Sequence, residues 1–134
     1  MCDRSDDPSI SDGVVLLRRV LEDWVYRQAV PPRPTSAAFK DDLSNEVSVF
    51  IATLTTVDRI LDGHPGDSVA QITAGQARAQ GYKIIRDPDH GLVPNDPSHV
   101  VLCPPPGLGK KRSTKAARAL AESATWAYLR PKDS

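Results

Sequence analysis

"VAQITAGQARAQGYKIIRD", residues Val69 to Asp87, carries a strand, a capped helix and a second strand in quick succession. Thr73 stands where a helix N-cap is needed, because its side-chain oxygen can accept a bond from a free first-turn amide. Gly81 stands at the other end, where a residue in the left-handed conformation closes a helix. Val69–Thr73 and Tyr82–Asp87 are rich in apolar and β-branched residues and read as strands. Extending the same reading outward fixes the fold class.

Downstream, "DPDHGLVPNDP" (Asp87–Pro97) is a turn-rich loop. It leads into a strand at Ser98–Cys103, where "VVLC" lacks alternation and is expected to be buried on both faces. A helix from about Ser113 to Trp126 follows. Its apolar stripe of Ala117, Leu120, Ala121 and Ala124 is narrow enough to approach a sheet closely. Upstream, Thr55 or Thr56 caps a short helix at Thr56–Leu61, which Gly63 stops. Glu46–Ala52 alternates Val47, Val49 and Ile51 with Ser48, Phe50 and Ala52, a strand pattern. Thr35–Phe39 reads as its hairpin partner across "KDDLSN", and Trp24–Val30 as a further strand. "PPRP" (Pro31–Pro34) is a stiff extended connector. Val14, Leu17, Leu21 and Trp24 recur at helical spacing and predict a helix from Val14 to about Asp23.

These elements define an α+β domain. We expect a small mixed or antiparallel sheet of about five strands, three to four helices, and the C-terminal helix packed on the sheet. Residues 14–134 form that single domain, and residues 1–13, with Asp3, Asp6, Asp7 and Asp12, read as a flexible acidic tail.

Seventeen basic residues balance seventeen acidic ones, so no overall field draws the chain to nucleic acid or anionic lipid. The longest apolar runs, Val14–Leu17 and Val100–Cys103, are too short to cross a bilayer, and no membrane partner is expected. Arg18 and Arg19 interrupt the one candidate leader. Cys2 and Cys103 give neither a disulfide framework nor metal spacing, which points to the cytoplasm.

Before the last helix, "CPPPGLGKKRSTKAARAL" (Cys103–Leu120) invites a phosphate-loop reading. A P-loop needs G-x-x-x-x-G-K-[ST], but Gly109-Lys110 is followed by Lys111 and the first glycine position holds Pro104. No cofactor is expected there. Ser113 or Thr114 reads as the helix cap, and Lys110, Lys111, Arg112, Lys115 and Arg118 crowd a helix start whose dipole they oppose. They are either a solvated face or a contact for an anion or nucleic acid. Few aromatics, 5% of the chain, are present for base stacking, so nucleic acid is the weaker partner expectation. Of His64, His90 and His99, the last two flank the loop that carries Asp87, Asp89 and Asp96, but without H-x₃-H or C-x-x-C spacing, so no metal is expected. His99 reads as a partly buried histidine bonded to the loop, and Cys103 as a small buried hydrophobe. No G-x-S-x-G elbow occurs. Arg27, set among apolar neighbours, needs a carboxylate partner or a ligand phosphate.

The order "YRQAVPP", "RPTSAAF", "EVSVFIA" and "IIRDPDHGLVPNDPSHVVL", spanning Trp24 to Trp126, resembles a widespread group of small bacterial proteins with no established activity. The resemblance implies that Arg27, Ser36, Phe39, Asp87, Pro88, Pro97 and His99 belong to one recurring scaffold. The helix expected before Trp24 departs from that pattern and reads as a partner-binding helix through Val14, Leu17, Leu21 and Trp24. A looser similarity to small ADP-ribosylating or NAD-cleaving domains would give Tyr26-Arg27 and Ser36 cofactor-facing parts. Glu46 and Glu122 supply no matching glutamate motif.

The leading expectation is a non-catalytic accessory protein of a multi-protein bacterial assembly, of defence or stress type, with a protein partner. The alternatives are a small enzyme acting on NAD or another phosphorylated ligand, with Arg27, Ser36 and His99 lining one cleft, and a nucleic-acid-contacting module.

Overall fold

The computed structural model describes residues 4–40, 46–104 and 110–132, without the side chains of 110–113. The chain begins with β1 (Val15–Val20), β2 (Val25–Tyr26), β3 (Arg33–Pro34) and β4 (Val47–Ile51). Next come α1 (Val57–Ile60), β5 (Ser68–Thr73), α2 (Ala74–Ala79), β6 (Lys83–Arg86) and β7 (His99–Cys103). It ends with α3 (Lys110–Ser123) and β8 (Thr125–Tyr128). Six strands form one sheet in the order β6-β7-β4-β1-β5-β8, with antiparallel neighbours throughout. β2 and β3 form a separate two-stranded ladder that pairs Tyr26 with Arg33. The fold is α+β, and α3 packs on the sheet.

One sheet face, with Leu16, Val20, Val49, Ile72, Ile84 and Leu102, shares the main core with Ala116, Ala117, Leu120 and Ala121 of α3. The methyl stripe is what lets this helix sit close. The opposite face is apolar in two patches: Leu17, Phe50 and Val69 under Ile60 of α1, and Ile85, Val101 and Cys103.

Burial on both faces corrects the first expectation. Val14 to about Asp23 is not a helix, because Val15–Val20 is an interior strand paired with β4 and β5. Leu16 and Leu17 are both buried, one on each face. A strand filled on both sides loses its period of two and leaves an apolar run that spacing alone assigns to a helix. No partner-binding helix is therefore formed by Val14, Leu17, Leu21 and Trp24. Leu17 is core, and Val14 and Trp24 pack against the main core.

Other boundaries differ as well. Ser36–Phe39 is a 3₁₀ turn rather than a strand, and of Trp24–Val30 only Val25–Tyr26 is strand, with Trp24 ending a 3₁₀ turn and residues 27–30 in turn and bend. The turn expected at "KDDLSN" lies mostly in residues 41–45, outside the described residues. The helix expected to reach Trp126 ends at Ser123, and β8 follows as an edge strand. Because α3 begins at Lys110, Ser113 and Thr114 lie inside the helix rather than capping it.

Nor do residues 4–13 form a free tail. Ile10 is 1% exposed in the main core, and the Asp7 amide donates to the Ile84 carbonyl at 2.8 Å. The acidic residues that suggested solvation are partners for cations. Asp6 and Asp12 accept from Arg78, and Asp7 from Arg86. The helix of the opening stretch is as expected: Thr73 and Gln76 form a reciprocal capping box, and Gly81 has φ of 90°. Cys103 is buried as expected but is disulfide-bonded, which corrects the expectation that the cysteines make no bridge. No helix among the described residues is long and apolar enough to cross a membrane.

Candidate functional site

β4 and β7 are neighbours with Ser48 opposite Val101 and Phe50 opposite His99. Ser48 and His99 are therefore diagonal neighbours on one face, within reach of each other's side chains. The Ser48 Oγ lies 2.5 Å from His99 Nε2. On the far side of the ring, His99 Nδ1 lies 2.6 Å from the Asp87 carbonyl oxygen. A carbonyl only accepts, so Nδ1 carries a proton, and in the neutral form of the ring the Nε2 lone pair faces the Ser48 hydroxyl. The Asp87 carboxylate stands further off, 3.7 Å from Nδ1, and its Oδ1 is 2.8 Å from His90 Nδ1. That bond to Asp87, with the carboxylate charge, holds the His90 imidazole above its ordinary pKa. His99 is only 2% exposed and its ring centroid lies 5.3 Å from that of Phe50.

The loop delivering Asp87 and His90 is closed around Asp96, itself buried. Asp96 Oδ1 accepts from the Ser98 amide at 2.9 Å and the Ser98 hydroxyl at 2.5 Å, and Oδ2 accepts from the Leu92 amide at 2.9 Å. Burial pushes the Asp96 carboxyl up, but these bonds outweigh it and hold the group below its ordinary value. Gly91 is required here, because a Cβ would intrude on the Asp96 side chain.

Ser48 opens onto two hollows. One, of about 510 Å³, is lined by Arg4, Glu46, Ser48, Asp87, His90 and His99. The other, of about 200 Å³, includes Arg18, Arg19, Ser48, His64 and His90. The second exists because β1 and β4 pair only at Leu16–Ile51 and Leu17–Phe50. Where the ladder stops, Arg18 takes over: Nη1 donates to the Ser48 carbonyl at 3.0 Å and Nε to the Ala38 carbonyl at 2.8 Å. Its guanidinium also lies 5.5 Å from the Trp24 ring centroid. A hydroxyl paired to an imidazole of fixed tautomer, at the wall of an open cleft, is the arrangement that activates a serine oxygen.

Of the residues singled out in the sequence, His99 lies at this centre. Arg27 does not: it grips Glu22 with two bonds of 2.9 and 2.7 Å and donates to the Arg130 carbonyl at 2.7 Å. The hydrogen bond from Arg27 holds the Glu22 carboxyl below its ordinary value despite some burial. Ser36 opens instead onto a third recess, with Tyr26, Arg33, Thr35, Arg118 and Glu122. Arg27, Ser36 and His99 therefore do not line one cleft. Lys115 and Arg118 are exposed on α3, and the side chains of Lys110, Lys111 and Arg112 lie outside the description. Sequence reading passed over Ser48, whose only signal was a polar residue at an alternating strand position. The strand order, which makes His99 its neighbour, is not visible locally.

Among the described residues, no group of three or more His, Cys, Asp and Glu is placed to hold a metal ion. No family model, no curated protein and no solved structure matches the chain.

Proposed function

We propose that the protein is a small serine-nucleophile enzyme of acyl transfer or ester hydrolysis, with Ser48 as nucleophile and His99 as general base. The observation that carries this is the 2.5 Å contact of Ser48 Oγ with His99 Nε2, on a ring whose other nitrogen is committed to the Asp87 carbonyl. In the first step the Ser48 oxygen bonds to the acyl carbon and its proton passes to Nε2, while the carbonyl π electrons move to oxygen. Collapse of that adduct expels the leaving group, which takes the proton from Nε2. Water, activated by the same nitrogen, then releases the acid and restores Ser48. Asp87 positions the ring chiefly through its carbonyl, a weaker stabiliser of imidazolium than a carboxylate in direct contact.

A fluorophosphonate probe tests this. Mass spectrometry should find the adduct on Ser48, lost in Ser48→Ala and slowed at least tenfold in His99→Ala. Absence of any Ser48 adduct in the folded protein would end the proposal.

A second reading retains the accessory protein of a multi-protein assembly. Leu92 and Val93, 43% and 55% exposed on the Asp96 loop, favour it as an apolar spot beside the cleft. It predicts that Leu92→Asp and Val93→Asp abolish partner binding while leaving Ser48 labelling intact. Nucleic-acid contact along α3 would rest on exposed Lys115 and Arg118 and predicts affinity that falls steeply with salt. A cytoplasmic setting forms no part of the proposal, because disulfides such as that of Cys103 persist mainly in oxidising compartments.

A further inference from the structure

The third recess gathers two arginines and one carboxylate, with neither arginine in a salt bridge among the described residues. Arg33 comes from the β2–β3 ladder and Arg118 from the exposed side of α3, and both line a hollow of about 210 Å³ with Tyr26, Ser36 and Glu122. Among the described residues, neither guanidinium is ion-paired or hydrogen-bonded, and the Ser36 hydroxyl has no partner. Most of the described arginines are paired. Arg4, Arg19, Arg27, Arg78, Arg86 and Arg130 all have carboxylates within salt-bridge distance.

Arg33 is also pre-positioned. It faces Tyr26 across the ladder with its guanidinium carbon 5.7 Å from the ring centroid, and prolines on both sides stiffen its backbone. The hollow sets two guanidinium charges against the single carboxylate of Glu122, and the net positive charge that remains favours an anion. The planar guanidinium fork matches a tetrahedral oxyanion, and a serine hydroxyl adds one more donor.

We propose that this recess binds the phosphate group of a small phosphomonoester. Arg33 and Arg118 bracket the phosphate, Ser36 donates to it, and Glu122 accepts from a hydroxyl on the rest of the ligand. The hollow decides the size class. At about 210 Å³ it falls below the roughly 300 Å³ at which drug-sized ligand sites begin, so a dinucleotide such as NAD does not fit within it. Ser36 and Arg118, which the sequence suggested for two separate sites, serve one here. The proposal does not depend on Ser48.

Titration of the ¹⁵N-labelled protein with glycerol phosphate tests it. The amides of Thr35, Ser36, Ala121 and Glu122 should shift together in a saturable way. Arg33→Ala and Arg118→Ala should each weaken binding about tenfold, the loss expected for one charge-assisted contact. Glu122→Gln should strengthen binding of inorganic phosphate and erase most of the advantage of glycerol phosphate over it. Ser48→Ala should bind as the wild type does. Saturation without shifts at this recess, or wild-type affinity in both arginine variants, would overturn the proposal. A phosphoserine peptide that bound more tightly than glycerol phosphate would overturn the small-ligand assignment.

Discussion

Replacing Asp96 by asparagine tests whether the loop behind the Ser48–His99 centre is held by one buried carboxylate. The side chain is 5% exposed and accepts three bonds, two from Ser98 on Oδ1 and one from the Leu92 amide on Oδ2. Asparagine keeps the shape but has one oxygen. If that oxygen serves Ser98, the new NH₂ faces the Leu92 N–H, and a part-buried donor is left without its acceptor. That orphaning costs about 1–3 kcal/mol, and the two surviving bonds lose their charge assistance, so the total is about 2–4 kcal/mol. The pH dependence has a defined sign. The folded Asp96 carboxyl is held below its ordinary value of 3.8, so its contribution is complete above that value and is lost as pH falls through the folded pKa. Urea unfolding followed by far-UV circular dichroism at pH 7 should show the full loss in the variant. At pH 3 and below the gap should narrow, because the wild type protonates there too. A variant within about 0.5 kcal/mol of wild type at pH 7, the ordinary range for a surface change, would refute the reasoning.

A double-mutant cycle of Arg27→Ala and Glu22→Ala should give a coupling of about 1 kcal/mol at neutral pH, since the pair is bidentate but partly exposed. The coupling should fade as pH falls below 4.5 through the lowered Glu22 value, and a zero coupling at pH 7 would reopen Arg27 as a ligand residue. Leu120→Ala removes a fully buried side chain between α3 and the sheet and should cost about 2–5 kcal/mol in urea unfolding, whereas a loss below 1 kcal/mol would mean α3 is not anchored there. Gly91→Ala forces the Asp96 side chain aside, so it should slow fluorophosphonate labelling of Ser48 while leaving the Leu120 core intact by near-ultraviolet circular dichroism. Unchanged labelling would uncouple the loop from the centre.

Local signals were the readable part of this sequence. Thr73, Gln76 and Gly81 announce the ends of α2, because capping chemistry acts within one turn. The alternation of β4 and the unbroken apolar run of β7 likewise report burial near each residue. The misread segments depend on distant neighbours. β1 looks helical until β4 and β5 stand on either side of it. The acidic N-terminal residues look solvated until Arg78 and Arg86 come within reach, 66 to 79 positions away. Ser48 and His99, fifty-one residues apart, are joined only by strand order. His99 was legible as a bonded histidine because the loop that leads into its strand begins with its partner Asp87.

Arg18 explains how a cleft can open beside Ser48 without cost to the sheet. On the β7 side, β4 is fully laddered from Val47 to Phe50, which holds the Ser48 hydroxyl rigidly against His99. On the β1 side the ladder ends after two pairs, and an interrupted ladder ordinarily orphans backbone groups. The Arg18 guanidinium instead bonds the Ser48 and Ala38 carbonyls, tying β4 to the Ser36–Phe39 turn where a strand would have continued. A long side chain thus replaces strand backbone, and the width it saves becomes the recess next to Ser48. The same substitution makes Arg18 a positioning residue for the proposed nucleophile: it fixes the backbone of Ser48 through the carbonyl, while β7 fixes the hydroxyl. A serine held from both sides yet facing an open hollow is what distinguishes this hydroxyl from the other described serines, and it is why Ser48 is the proposed nucleophile.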